Sequence, residues 1–598
     1  MQTAMLNKSC DQCRNRKVRC LVPPVSSGRP LACTHCIKRN EPCHFSVLNR
    51  KLRAARTTAL PTPSPADSVT PNASSGPGSL PRYFIDYLLQ DPSAEATLYD
   101  EFSVLKVHDQ RVTSSGLAFF SDHKVECLAR TIGNSRLREL VNDIDIALRS
   151  RLLTRADVQI AHLSRVHHQP QISADEATVY IQVYFDSMHN MFPFLDKEDF
   201  ERKAFNPDLS NLLKSCPQFS AVYHAVLALG CQQHGRGSFE PGIGEAWELF
   251  LVALSHLEDI RRLEDSLTAL QALTAMSIFA MNACYLQVNH TLLAEATRMA
   301  IRLRYHKSAI SERQNTCQRT FWVIYQMEKH DSFQSRSASL IADYDVGCPI
   351  PSVPESTFGT YDWFLSSIRL ARLLSIAYEF LFSLTASTQP AASQLVVIDR
   401  IENNLEQWRQ SIPVSFKPQE PLHKPSFVDP KTKGVALSTQ YYYYHILISL
   451  ERLRLHLGGD SGFRQQASKQ KLLAAARTVI ELTRFIDVEP YTPIFILAIM
   501  PLSALFILFD FIIHNPRHPD TRANVVLLDI VSGHFSFLEH ASAGSMPGNY
   551  LSEFAQIAKQ YLQELPEVPN DRANAQEGTG DHRLDIESSA HTVRSLVV

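Results

Sequence analysis

The sequence predicts a mainly α protein built as a small cysteine-rich module, a disordered linker and a large all-α domain. Three observations predict this. Half of the twelve cysteines fall within the first 43 residues. A stretch rich in Pro, Ser, Thr and Gly follows at 60–81. From about 83 to 565 apolar residues recur at helical spacing, and alternating β patterns are scarce. The chain of 598 residues is too long for one hydrophobic core, and its 44% apolar and 20% charged content suits a large one.

The formal net charge of −2 conceals an asymmetry. Residues 1–56 carry twelve Lys and Arg against only Asp11 and Glu41, a local +10. The remainder carries 47 basic and 59 acidic residues. A small basic head on a larger acidic body implies that the head alone meets a polyanion. The first residues, "MQTAMLNKSC", hold no apolar run of the length a secretory signal needs. The cysteines beyond the head (Cys127, Cys216, Cys231, Cys284, Cys317 and Cys348) are scattered singly, as buried thiols are in a reducing compartment.

The head, 1–45, contains "CDQCRNRKVRC" at 10–20 and a near repeat of its layout at 33–43. Cys10, Cys13, Cys20, Cys33, Cys36 and Cys43 are spaced C-x2-C-x6-C-x12-C-x2-C-x6-C. A C-x2-C pair presents two thiolates to one tetrahedral zinc, and each half-site supplies three ligands where a closed structural zinc needs four. Two zinc ions therefore take six thiolates only if two of them bridge both metals. The charge agrees: six thiolates and two Zn²⁺ sum to −2, and the surrounding Lys and Arg offset the rest. A disulfide framework would need an oxidising compartment, and a redox pair would need a βαβ context. His35 and His44 adjoin the cysteines, but the ligand count is complete without them, so both are read as solvent-facing.

These residues resemble the fungal zinc binuclear cluster, the six-cysteine DNA-binding domain of yeast and filamentous-fungal transcription regulators. The resemblance implies two short helices around two zinc ions, with Cys10 and Cys33 bridging. It implies that Lys17, with Arg16 beside it, reads a CGG-type triplet in the major groove of double-stranded DNA. Such donors suit guanine O6 and N7, while Arg14, Arg19, Lys38 and Arg39 suit phosphate contacts. It also implies a nuclear regulator of RNA polymerase II genes. The loop "LVPPVSSGRPLA" between Cys20 and Cys33 lies at the long end for this family, and Pro30 stands three residues before the fourth cysteine where two is usual.

Residues 46–82 read as a basic extension followed by a linker too poor in apolar residues to offset its ordering entropy. "FSVLNRKLRAARTTAL" offers Leu48 and Leu52 but falls short of a coiled coil, which leaves three expectations open: binding as a monomer, a homodimer paired through the helical body, or one paired through a short local helix. In the helical body, 83–565, apolar groups at Leu263, Leu267, Leu270, Ile278, Met281 and Tyr285 follow a helical period. "YYYYHILISLERLRLHL" at 441–457 reads as a further helix, and Pro-marked stretches at 348–359 and 410–430 read as loops. "IFILAIMPLSALFILF" at 494–509 is too short for a bilayer and contains Pro501, so a buried core helix is expected and no membrane partner. Residues 566–598 read as a disordered tail.

Within the body, "YFDSMHNMFPFLDKEDF" at 184–200, "SLTALQALTAMSIFAMN" with "AEATRMAIRLRYH", and "RTFWVIYQMEKHDSFQSRSASLIADYDVGCPIP" resemble the middle homology region of fungal regulators over about 175–355. That implies a regulatory domain receiving coregulators or a small-molecule inducer. The usual Gly-Arg-Pro of its last loop is replaced near Arg336, Ser337 and Ala338. Trp322, Tyr325, Asp343 and Asp345 are read as core packing and loop capping. No HExxH, GxSxG, P-loop or GxGxxG stands at a strand-to-helix junction, so no enzyme is expected. His162, His167 and His168 read as a polar surface turn. The runner-up reading is a zinc-stabilised protein-interaction module without specific DNA binding.

Overall fold

The computed structural model describes residues 9–21, 32–44, 122–152, 170, 172–282, 286–307, 314–420, 424–458, 462–546 and 548–565. The chain divides into two units, Met1–Asp91 and Pro92–Val598. The 46–82 segment, the 566–598 tail, the loop between the half-sites at 22–31, Cys284 and His162, His167 and His168 lie outside the described residues.

The first unit holds two five-residue helices, Asp11–Asn15 and Thr34–Lys38, each preceded by an N-cap cysteine. The second unit is helical apart from one pair of two-residue antiparallel strands, Thr357–Phe358 and Tyr361–Asp362, among the described residues.

Two cores organise the second unit. The first gathers Ala174–Ser187, Pro217–Cys231, Glu245–Ser255, Leu267–Asn282 and Leu286–Arg302. Ala174–Ser187 starts at a capping box, in which Ser173 and Glu176 satisfy each other's backbone N–H. Gly230 lets Pro217–Cys231 approach it closely, since a Cβ there would stand 2.0 Å from the Tyr180 carbonyl oxygen. The expected helix over 263–285 is found as Leu267–Asn282, and it is buried on nearly every face. A central helix of this kind has no solvent stripe.

The second core gathers Ala391–Gln410, Pro430–Leu457, Gly462–Leu482, Met500–His514, Thr521–Ala541 and Asn549–Glu564. The early helices Asp122–Ile132 and Arg136–Leu152 also pack into it, with Arg136 Nη2 2.6 Å from Glu553. Residues 410–430, expected as loop throughout, include the short helix Lys424–Val428. Trp363–Ala377 joins the two cores, sending Phe364, Ile368 and Ala371 into the first and Leu370, Leu373 and Leu374 into the second.

Phe495–His514 is long and apolar enough to cross a membrane by composition, yet 78% of its most apolar window is buried inside the protein. Pro501 has no N–H for the Leu497 carbonyl four residues back. The preceding turn widens to a π-helix over Phe495–Ile499, and that carbonyl meets His534 Nε2 at 2.8 Å.

Gln314–Gln334 ends with Arg336 in the left-handed region, φ 53°. Ser337 N–H reaches the Ser332 carbonyl at 2.9 Å and Arg336 N–H the Phe333 carbonyl at 3.4 Å, a Schellman termination. The Arg336 guanidinium lies over the Phe382 ring at 3.9 Å. Beyond it, the loop is tied down from inside. Lys329, 2% exposed, donates to the Ile341 carbonyl at 2.6 Å and stands 3.2 Å from Asp343. Tyr325 Oη donates to Asp343 at 2.8 Å, Arg372 pairs with it at 2.8 Å, and Trp322 Nε1 donates to the Pro349 carbonyl at 3.0 Å. Asp345 pairs with Lys307 at 3.0 Å. Trp322, Tyr325, Asp343 and Asp345 thus pack the core and fasten the loop. Removing one partner of a buried ion pair strands the other, at about 3–5 kcal/mol. Asp343→Ala is therefore expected to destabilise the body by about that amount, read as a lowered urea midpoint for the helical signal.

Candidate metal centre and nucleic-acid interface

Among its described residues the head has no apolar side-chain core: the buried cluster is Cys10, Cys13, Cys33 and Cys36, with Cys20 and Cys43 packed against it. Cys10, Cys13, Cys33 and Cys36 are at most 2% exposed. Two sets of four sulfurs form, each with all members within 4.8 Å of one another: Cys10, Cys33, Cys36, Cys43 and Cys10, Cys13, Cys20, Cys33. Cys10 and Cys33 belong to both sets, with their Sγ atoms 3.8 Å apart. Four thiolates per set match the donor number and type of a closed structural zinc, so the residues fit two metals with two shared sulfurs.

The two half-sites repeat with an offset of 23 residues in their backbone bonds as well as their thiols. Asp11 N–H donates to the His44 carbonyl at 2.8 Å, and its counterpart Thr34 N–H donates to the Leu21 carbonyl at 3.0 Å. Cys10 N–H approaches Cys20 Sγ at 3.4 Å, and Cys33 N–H approaches Cys43 Sγ at 3.3 Å. Each helix then stops at a left-handed residue, Lys17 (φ 55°) and Asn40 (φ 51°). Val18 N–H meets the Cys13 carbonyl and Glu41 N–H the Cys36 carbonyl, completing one Schellman motif per half.

The same packing separates the thiols electrostatically. For Cys13, burial and then the neighbouring thiols Cys10, Cys33 and Cys20 push it up to about 12. For Cys33, burial opposes ionisation, but the Cys36 amide and the surrounding thiols outweigh it and bring it down to about 6. Cys10 is lowered in the same way, with burial opposed chiefly by the Cys13 amide at 3.4 Å. The two sulfurs common to both sets are thus the two that ionise most readily.

The cationic side chains occupy the rim. Arg14, Arg16, Lys17, Arg19, Lys38 and Arg39 are all exposed, as are His35 and His44. Arg16 is ion-paired with Glu41 of the other half-site, and Arg14 stands 3.4 Å from Asp11. Among the described residues no carboxylate pairs with Lys17. The bond between Arg16 and Glu41 and the left-handed backbone at Lys17 were missed in the sequence. The 23-residue offset hints at the second, because Asn, the residue most tolerant of that region after Gly, stands at the equivalent position 40.

With this geometry in view, residues 8–52 match the Fungal Zn(2)-Cys(6) binuclear cluster domain and residues 181–410 match the Fungal specific transcription factor domain. The second match runs past the expected limit of 355 to the end of Ala391–Gln410. The chain is similar to ABC-transporter-regulating transcription factors of Aspergillus fumigatus, 23% identical over 78% of this chain and 57% of the relative, and of Aspergillus oryzae, 23% identical over 75% and 54%. It is also similar to an uncharacterized transcriptional regulatory protein of Schizosaccharomyces pombe, 23% identical over 81% of this chain and 67% of that one. The chain spans little more than half the length of the two Aspergillus relatives. By fold and site it is a head built on two four-sulfur sets, followed by a helical body that carries the second match. Both matched domains are those of fungal zinc binuclear cluster transcription factors, and the six-cysteine domain is one that binds two zinc ions.

The shared sulfurs make a prediction about stoichiometry. Cys20→Ala leaves the set Cys10, Cys33, Cys36 and Cys43 complete, so it should retain one zinc per chain; Cys10→Ala breaks both sets and should retain none. Zinc content by elemental analysis, after dialysis against a weak chelator, distinguishes the two.

Proposed function

We propose that this protein is a zinc-dependent, sequence-specific DNA-binding regulator of RNA polymerase II transcription that acts in the nucleus. Its head makes the DNA contacts, and its helical body receives coregulators or a small-molecule inducer and supplies any homodimer contact. The observation that carries the reading is Lys17. It stands exposed on a helix terminus braced by the sulfur cluster, unpaired by any described carboxylate. A rigidly based ammonium group of this kind suits guanine O6 and N7 in a CGG-type triplet. Arg16 joins it at the base edges, with Glu41 fixing its guanidinium plane. Arg14, Arg19, Lys38 and Arg39 meet phosphates and supply affinity rather than sequence preference. The six cysteines hold two zinc ions, with Cys10 and Cys33 bridging.

A second reading has one observation in its favour. Val18, Leu21 and Ile37 are 45%, 50% and 60% exposed on the head, apolar surface that a protein-interaction module would use. Mobility shift of the full chain on a CGG-containing duplex and a scrambled one, with and without chelator, separates the two. Zinc-dependent preference for the CGG duplex supports DNA readout; equal binding to both duplexes supports the interaction module.

Two substitutions refine the test. Lys17→Ala should lose about 1–3 kcal/mol of discrimination between the duplexes while keeping both zinc ions and the helical signal. Glu41→Gln releases Arg16, so binding to scrambled DNA should strengthen and the salt slope steepen by about one unit, while preference for the triplet falls. Titrations at several salt concentrations read both effects.

A further inference from the structure

Helix Thr521–Ala541 turns Leu528, Val531, Phe535 and Leu538 into the second core. Its opposite face carries Val526, Ile530 and Phe537, which are 57%, 47% and 56% exposed. Ala523 and Gly533 complete that face and are exposed as well, and no atom lies within 4 Å of where a Cβ on Gly533 would stand. The five positions follow one another at alternating steps of three and four residues, the spacing of a helix–helix seam. The row from Val526 to Phe537 runs about 16 Å along the helix. Exposed apolar groups scattered singly are ordinary, but a continuous row with a dent in it is a contact surface. It lies outside both matched domains.

The row is complementary to itself when reversed. Laid antiparallel on a second copy with Ile530 over Gly533, it sets Phe537 on Val526 and His540 on Ala523, a larger group on a smaller one in each layer. The Ile530 side chain then fills the dent at Gly533. A parallel pair would instead stack Phe537 on Phe537 and leave a void between two glycines, and overpacking and voids are both unfavourable. Charge favours the same arrangement. Antiparallel helices oppose their dipoles, and the exposed Arg522 comes to the last turn of the other helix, where free carbonyls carry partial negative charge. Asp529, at the edge of the row, is already paired with Lys559 at 2.6 Å, so no bare carboxylates are brought together. We propose that this face is a two-fold contact between two copies of the chain, made by antiparallel Thr521–Ala541 helices. It rests on the homodimer role proposed for the body and names the helix that carries it. Pairing puts two heads in one particle and raises the effective concentration of the second for DNA.

Sedimentation velocity of the zinc-loaded full chain, without DNA, tests it. One helix per copy makes a small interface, so the chain should pass from monomer to dimer through the micromolar range. Phe537→Glu should weaken the dimer at least about tenfold, because it buries an unpaired charge at the seam. Gly533→Glu should do the same with the melting temperature kept or raised, since the position is open and glycine is a poor helix former. That variant keeps the test readable if Phe537→Glu folds poorly. Val396→Glu, exposed on Ala391–Gln410, should leave the dimer as it was. Photocrosslinking from Phe537→p-benzoylphenylalanine should mark the second copy near Val526. A cross-link at 537 itself would overturn the antiparallel pairing. A dimer that survives Gly533→Glu would overturn this face and keep the homodimer role, whereas a native chain still monomeric at about 100 μM would overturn both. Neither result touches the DNA reading, which a duplex with one CGG-type triplet reports separately.

Discussion

A segment whose only buried side chains are thiols has almost no hydrophobic term with which to fold. Among its described residues the head of this protein is such a segment: the buried cluster there is made of cysteines alone. Two helices of five residues fall far below the length at which isolated helices form in water. Their persistence has to come from the sulfur cluster, and metal–thiolate bonding supplies roughly 10–16 kcal/mol in comparable zinc peptides. Everything else in the head follows. Each helix begins at a cysteine and ends where the chain must turn back to deliver the third sulfur, and the left-handed residues at 17 and 40 make that turn. Neither is glycine, so the strain of about 1 kcal/mol at each is held by the sulfurs on either side.

The body answers the opposite problem, having ample apolar surface and needing specificity in its arrangement. Helices buried on nearly every face, such as Leu267–Asn282, add stability but little orientation. Polar groups inside supply the orientation. Lys329, Asp343, Tyr325 and Arg372 fix one loop to two helices through directional bonds that an apolar repacking could not reproduce. His534 does the same where Pro501 interrupts the helix ladder, tying Thr521–Ala541 to Phe495–His514. Trp363–Ala377, with a different face in each core, makes the two halves one unit.

What was legible in the sequence follows the range of each interaction. The thiol spacing is local and periodic, so the six cysteines that the fold gathers could be picked out directly. The helical class of the body and the burial of the 494–509 stretch were legible for the same reason, since composition and length decide them. Boundaries were less so: helix Lys424–Val428 sits in a stretch whose prolines suggested loop, because Pro425 is tolerated in a first turn. The bond between Arg16 and Glu41 joins residues 25 apart, and the pair of Asp343 with Arg372 depends on helices that meet only in the fold. No window along the chain contains them.

The near two-fold repeat of the head raises a last question, since a symmetric scaffold would be expected to present two equivalent faces. The backbone is equivalent, but the side chains on it are not. Where the first half-site carries Arg14, Lys17 and Arg19, the second carries Ile37, Asn40 and Pro42 at the positions 23 residues on. Val18 is matched by Glu41, which turns back to engage Arg16. One half therefore carries four cations, Arg14, Arg16, Lys17 and Arg19, while the other keeps Lys38 and Arg39 and donates an anion across the seam. Metal bonding imposes the symmetry, because both halves must deliver three sulfurs in the same way. The residues free of that duty carry the asymmetry, and they make the first half-site the more cationic of the two.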